Sequence, residues 1–287
     1  MPAFRSILFP VDFSKRCRFA VPFVKMIAER CHSQLIVMHV IEIPGAEYCA
    51  IADESMPELQ AMRRAAREHL KAFVREEFAG IPLDAVFEEG RAAPRITEFV
   101  NDQRIDLVMM PTHGYGPFRR ALLGSVTAKV LHDVSCPVWT DAHVERPSAT
   151  AQIGCKSILC TVDLETKSIP LIRHAAQLGT EFEATVRLVH AIPEAESLPT
   201  NHFEVEFRRF LFEKARDEIR RLQAEAGTAF DVCMEGGTVA NVVRAAAEHH
   251  QVDLVVIGRG AIQEPLGRLR TNTYAVIRES ICPVLSW

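Results

Sequence analysis

The sequence predicts an α/β protein of two tandem three-layer α/β/α domains, each built on a mostly parallel five-stranded sheet. Three observations carry this expectation. Short runs of branched apolar residues alternate with segments whose apolar residues recur at helical spacing. The runs are continuous instead of alternating with polar residues, as expected where helices cover both faces of a sheet. The 287-residue chain also repeats itself once.

Four blocks recur in the same order. SILFPVDFS at 6–14 returns as SILCTVDLE at 157–165, and QLIVMHVIEIP at 34–44 returns as TVRLVHAIPEA at 185–195. Asp12 and Asp163 stand 151 residues apart, as do His39 and His190. VFEEGRAAPRITEFVNDQRIDLVMM at 86–110 is answered by VCMEGGTVANVVRAAAEHHQVDLVVI at 232–257, and SCPVW at 135–139 by ICPVL at 281–285, the last with an offset of 146. Between the copies, HVERPSATAQIGC at 143–155 has the composition of a linker. The expected domains are therefore 1–143 and 155–287.

In the first copy, residues 7–11 read as a buried strand. Ser14 is the expected N-cap of a helix with Cys17, Ala20, Val21, Val24, Ile27, Ala28 and Cys31 on its buried face. Pro22 is expected to bend or delay that helix, because it lacks an amide hydrogen and crowds the preceding turn. Residues 35–40 form the second strand. A long helix at 58–78 is expected to turn Leu59, Met62, Ala66, Leu70, Phe73 and Val74 inward. Strands at 84–87, 106–110 and 137–139 and helices at 94–101 and 125–132 complete the copy. The second copy repeats this order, with its long helix near 204–226.

Composition narrows the function. Apolar residues make up 48% of the chain and charged residues 24%, with a formal net charge of -4. No block of Lys and Arg offers a phosphate-tracking surface, which argues against nucleic acid as the main partner. No apolar run approaches the ~20 residues of a membrane span, and the N-terminus lacks a signal-peptide pattern, so the expected location is the cytoplasm. None of the eight cysteines falls in a CxxC pair, and several lie in apolar periodic segments, so buried free thiols are expected. His249-His250 has no cysteine or carboxylate at ligand spacing, and no metal site is predicted.

In such a sheet the ligand crevice lies at the C-terminal ends of the strands. Asp12 ends the first strand, Val40 the second and Met110 the fourth. From Met110 the loop PTHGYGPFRRALLGS at 111–125 leads into a helix that begins near Gly124-Ser125. A helix start offers amides and a positive dipole end to phosphate. Gly124 admits close backbone approach, Ser125 adds a hydroxyl donor, and Arg119 or Arg120 can screen further charge. Asp12 suits a ribose or an adenine amine; its structural alternative is to cap the following helix. The alternative for Gly114 and Gly116 is a tight surface turn. Two familiar motifs are absent: there is no GxxxxGK[ST], and Gly114-Tyr115-Gly116 does not continue into GxGxxG.

These features resemble the universal stress protein family, in two copies that span nearly the whole chain. Many members of that family bind ATP through a Gly-x2-Gly-x9-Gly-Ser/Thr loop after the fourth strand. Here the loop is matched by Pro111-x2-Gly114-x9-Gly124-Ser125, with Pro111 in place of the first glycine. The resemblance implies a Rossmann-like, adenine nucleotide alpha hydrolase-like fold. It implies that Asp12, flanked by Pro10 and Val11, meets the base or ribose, and that Val40 and Met110 offer backbone groups and apolar surface to adenine. Gly114 would lie near the ribose and inner phosphate, and Gly124, Ser125 and Val126 would supply amides to the outer phosphates. The implied cofactor is ATP or another adenine nucleotide, with Mg2+ as a companion. Pro111 leaves two cases open: it displaces the ribose if the family glycine serves close approach, or it is tolerated if that glycine merely marks the strand end.

In the second copy, alignment back from CPV sets Arg270 opposite Gly124 and Thr271 opposite Ser125. A side chain there obstructs backbone-only phosphate contact, so a structural or regulatory role is expected, with a guanidinium-bound anion as the alternative. No catalytic assembly and no clear second Mg2+ ligand stand out. The functional expectation is stress-response sensing or regulation through an adenine nucleotide without efficient catalysis. Its alternatives are slow ATP hydrolysis or autophosphorylation at Ser125, and a partner-binding protein that has lost its ligand. By the same resemblance, residues 137–139 and 283–285 pair antiparallel to make an intramolecular pseudo-dimer. Further association into a homodimer through the long loops at 42–57 and 193–202, and a protein partner of unknown identity, complete the expectations.

Overall fold

The computed structural model describes residues 3–43, 57–113, 123–141, 154–192, 202–259 and 271–287. The readings made for Gly114, Gly116, Arg119, Arg120 and Arg270, and for most of the linker and the two long loops, lie outside these residues. The chain divides into two compact units, Met1–Trp139 and Thr140–Trp287.

Unit 1 runs β1 (Ser6–Pro10), α1 (Lys15–Cys31), β2 (Gln34–Ile41), α2 (Pro57–Glu77), β3 (Leu83–Glu89), α3 (Ala92–Gln103), β4 (Leu107–Met110), α4 (Ser125–Asp133) and β5 (Val138–Thr140). Its strands lie in the order β3-β2-β1-β4-β5. β1 is parallel to β2 on one side and to β4 on the other, with Ile7 opposite both Leu35 and Leu107. Unit 2 repeats the plan with β6 (Ser157–Thr161), α5 (Ser168–Phe182), β7 (Thr185–Ile192), α6 (His202–Ala226), β8 (Asp231–Gly236), α7 (Val239–His249), β9 (Leu254–Ile257), α8 (Thr271–Glu279) and β10 (Val284–Ser286). Its order is β8-β7-β6-β9-β10. The expected α/β architecture is observed twice.

The same aspartate locks the central strand in each unit. Asp106, just before β4, accepts the amides of Arg5 and Ser6 through Oδ2 at 2.9 and 3.2 Å, while Ser6 Oγ accepts the Asp106 amide at 3.0 Å. Asp253 Oδ2 takes the amides of Lys156 and Ser157 at 2.8 and 3.0 Å. These bonds satisfy the amides at and just before the first residues of β1 and β6.

α1 begins where Ser14 predicts, its Oγ accepting the Cys17 amide at 3.2 Å. The expected delay at Pro22 does not occur: the helix starts at Lys15 and continues through Pro22 to Cys31. A buried face of seven residues on both sides of Pro22 holds the segment helical despite the missing bond. The long helix departs from its expected face. Leu70 and Phe73 are buried, but Met62 is 45% exposed. At ~1.5 Å per residue the helix is about 32 Å long, against about 26 Å for the longest strand beneath it, so its first turns overhang the sheet. α6 behaves alike, with Val205, Phe207 and Phe210 exposed and burial beginning at Ala215.

The core of unit 1 is built around Phe9, Phe73 and Phe78, with ring centroids about 6 Å apart. The seven described cysteines are free thiols, five of them buried. Among the described residues no helix is long and apolar enough to cross a membrane.

Two measurements test this packing. A methyl group added at Gly179 in α5 would lie 2.5 Å from Val186 Cγ2 and 3.3 Å from the Ala184 carbonyl. Gly179→Ala is expected to destabilise unit 2 by about 1–3 kcal/mol in urea unfolding. His174 stacks on Trp287, and burial lowers its pKa from 6.5 to about 4. Above pH 6.5 its imidazole is neutral in both folded and unfolded chains. Between pH 6.5 and about 4 the unfolded chain takes up a proton that the native one refuses, so stability falls as pH falls. The loss attributable to His174 is up to about 3 kcal/mol, read as the difference between wild type and His174→Phe unfolding across that window.

Candidate functional site

The strand order of unit 1 reverses between β1 and β4, and in an open α/β sheet such a switch point is where a ligand crevice forms. A cavity of about 500 Å³ opens at this point. Pro10, Val11 and Asp12 line it from the end of β1, and Met38, His39 and Val40 from β2. Met110 and Pro111 line it from β4, and Gly124, Ser125 and Val126 from the start of α4. Eight of the nine residues singled out from sequence therefore share one cavity; the ninth, Gly114, lies outside the described residues.

The turn after β1 is strained. Phe13 has φ of 61°, a left-handed conformation that is costly for a bulky residue. Its ring is held by His69 at 4.2 Å, His39 at 4.4 Å and Phe73 at 5.5 Å. The turn brings the Ser14 amide within 2.9 Å of Asp12 Oδ1, which also accepts the Cys17 thiol at 2.9 Å. Asp12 thus does part of the capping work foreseen as its alternative role, and it lines the cavity as well. Among the described residues its Oδ2 has no hydrogen-bond partner.

His39 Nδ1 lies 2.8 Å from the Val11 carbonyl. A carbonyl only accepts, so Nδ1 carries the proton and Nε2 is left as an acceptor. Burial pushes the imidazole pKa below its ordinary value and His69 adds to this, against the Val11 carbonyl and Asp12. The His39 ring anchors the turn through this bond, and His190 makes the same contact with the Val162 carbonyl at 2.9 Å in unit 2.

The start of α4 is fastened to the end of β4 by two bonds. The Gly124 amide donates to Thr112 O at 2.9 Å, and buried Thr127 donates through Oγ1 to Pro111 O at 3.0 Å. Gly124 is the N-cap and provides no side-chain cap. The first amides of α4, on the cavity wall, therefore keep the anion-attracting character of an open helix end. Gly124 is also needed for packing: a Cβ there would lie 3.1 Å from His113 Cα and 3.4 Å from Thr112 O. His113 is buried, with Nδ1 3.2 Å from Thr112 Oγ1. Among the described residues no group of three or more His, Cys, Asp or Glu side chains is arranged to hold a metal ion.

Sequence reasoning missed Cys17, Thr127 and the α3 residues Ala92 and Ile96 as parts of this wall. Thr127 had a signal, since its counterpart Thr273 recurs and donates to the Gly258 carbonyl at 3.3 Å.

A sequence model of the universal stress protein family matches residues 3–140 and again 154–286. The chain belongs to the universal stress protein family. It is similar to a universal stress protein of Synechocystis sp., 31% identical over 137 residues that make up 47% of this chain and 83% of that protein. One from Thermus aquaticus is 30% identical over 136 residues, 47% of this chain and 96% of its own length. The crystal structure of a universal stress protein from Archaeoglobus fulgidus superposes with a TM-score of 0.68, covering 99% of this chain and 96% of that one. At 18% identity this likeness speaks for the fold alone. As a universal stress protein the chain carries the family domain twice, and the two copies differ where the cavity is lined. Pro111 in unit 1 corresponds to Gly258 in unit 2, each accepting a threonine hydroxyl from the next helix.

Gly124→Ala is expected to cost about 1–2 kcal/mol of unit 1 stability without any ligand, because the 112–113 backbone must yield. Thermal unfolding of the two proteins side by side measures it.

Proposed function

We propose that unit 1 binds an adenine nucleotide, ATP first among the candidates, and that the protein senses or regulates a stress response through that occupancy without efficient catalysis. The observation that carries this reading is one cavity holding an uncapped helix start and the carboxylate of Asp12. The helix start suits phosphates, which would meet the amides of Ser125 and Val126. The Gly124 amide, expected from sequence to join them, is instead donated to the Thr112 carbonyl, and Gly124 serves by leaving the approach clear of a side chain. The carboxylate suits hydroxyl or amine donors of a sugar or base. Pro10, Val11, Val40 and Met110 supply apolar surface for the base, and the volume falls in the usual range of small-molecule sites. Gly114 is assigned by the same reading to the ribose and inner phosphate.

Pro111 is read as tolerated. It has no amide to offer a ligand, its carbonyl is engaged by Thr127, and it stands at the strand end. Mg2+, where present, would be held chiefly by the phosphates of the nucleotide. The reading places the protein in the cytoplasm, where free nucleotide and a protein partner are both available. Unit 2 is read as structural or regulatory, since Asp163 Oδ2 lies 3.4 Å from Lys167 Nζ and is already paired.

Isothermal titration of the full chain with ATP, ADP, AMP and a cyclic nucleotide, with and without Mg2+, is expected to give one site per chain. Gly124→Asp should weaken binding at least tenfold, or about 1.4 kcal/mol, through added charge beside the phosphates. Gly124→Ala separates the steric part of that loss. Arg270→Ala should leave affinity unchanged. Wild-type affinity in Gly124→Asp would sink the phosphate site, and loss confined to Arg270→Ala would move it to unit 2. Release of labelled phosphate at more than a trace rate would replace sensing with ATP hydrolysis.

A further inference from the structure

A reciprocal hydrogen-bonded pair after the first strand recurs in both units, with one atom exchanged. In unit 1 the Cys17 thiol donates to Asp12 Oδ1 at 2.9 Å, and the Asp12 amide donates back to the same sulfur at 3.4 Å. In unit 2 the Ser168 hydroxyl donates to Asp163 Oδ1 at 2.6 Å, and the Asp163 amide donates back to that oxygen at 3.1 Å. A reciprocal pair kept through an exchange of sulfur for oxygen is a hydrogen-bonding device and not merely a filled volume.

The two carboxylates differ in their second oxygen. Asp163 Oδ2 faces Lys167 Nζ at 3.4 Å, whereas Asp12 Oδ2 has no partner among the described residues. In unit 1 the thiol and the Ser14 amide both engage Oδ1, which leaves Oδ2 as the oxygen open to a ligand. Cys17 is 1% exposed and lines the same cavity. Burial foremost, and then the neighbouring Asp12 charge, hold its thiol well above the ordinary pKa, so it remains a donor.

We propose that Cys17 is a positioning residue of the candidate nucleotide site, fixing the Asp12 carboxylate so that Oδ2 accepts from the vicinal diol of the ligand's sugar. The inference rests on the nucleotide reading above.

The test titrates full-length wild type, Cys17→Ser and Cys17→Ala with ATP and with 2′,3′-dideoxy-ATP, which lacks the diol. Cys17→Ser, the pairing already used in unit 2, should keep ATP affinity within about twofold, while Cys17→Ala should lose about five- to tenfold. The dideoxy ligand should bind all three proteins equally weakly. If Cys17→Ala weakens both ligands by the same factor, Cys17 acts by packing and the proposal is overturned. Unchanged ATP affinity in Cys17→Ala overturns it too, leaving the nucleotide reading intact. A wild type that binds neither ligand overturns both. If Cys17→Ala does not fold, Cys17→Val, which fills the site without a donor, carries the same comparison.

Discussion

Parallel pairing of β1 with β2 on one side and β4 on the other is the constraint from which helices and cavity both follow. Parallel neighbours cannot be joined by a tight turn, so each link must cross a face of the sheet, and a helix is the compact way to do so. The chain moves outward from β1 to β3, then returns across β1 to lay down β4. At that reversal the cavity opens, between the residues that follow β1 and those at the start of α4. Asp106 fastens the other end of the same strand pair, so the reversal point is held from below by hydrogen bonds and left open above.

The duplicated chain offers a control within one molecule. The aspartate clamp, the histidine on the carbonyl before Asp12 or Asp163, and the threonine that ties the last helix to its strand are present in both units. These belong to the scaffold. What varies is the lining. Phe13 adopts a left-handed turn under aromatic packing, while Leu164 at the same place is 38% exposed and has no positive φ. Among the described residues one acidic side chain keeps an open oxygen, while its twin faces a lysine that it shares with Glu165. Backbone strain and an acceptor without a partner among the described residues thus fall in the same turn of unit 1, and the corresponding turn of unit 2 has neither.

Much of this was legible beforehand, because element type follows from periodicity and the crevice follows from topology. Asp12, Val40, Met110 and Gly124 could be located together since each ends a strand or starts a helix, and such ends converge. The inward face of the long helix was legible only in part. Periodicity marks Met62 as firmly as Leu70, but the helix is longer than the sheet and the pattern does not register where the sheet stops. Contacts between residues that carry no shared pattern were invisible. Cys233 Sγ lies 3.2 Å from His250 Nε2 across 17 residues, although His249-His250 gave no sign of a nearby sulfur. The second function of Gly124, room against the His113 backbone, likewise depends on a close approach that composition does not encode.

The distribution of thiols has a consequence for how the protein's motions can be followed. Cys17 and Cys31 lie buried in the first unit, and Cys155, Cys160 and Cys282 in the second. An alkylating reagent reaches such sulfurs only when the surrounding unit opens, so labelling at these positions counts excursions from the native state. Each half of the chain therefore carries its own native reporter, resolvable by mass. The opening of one half can be timed against that of the other with no engineered probe.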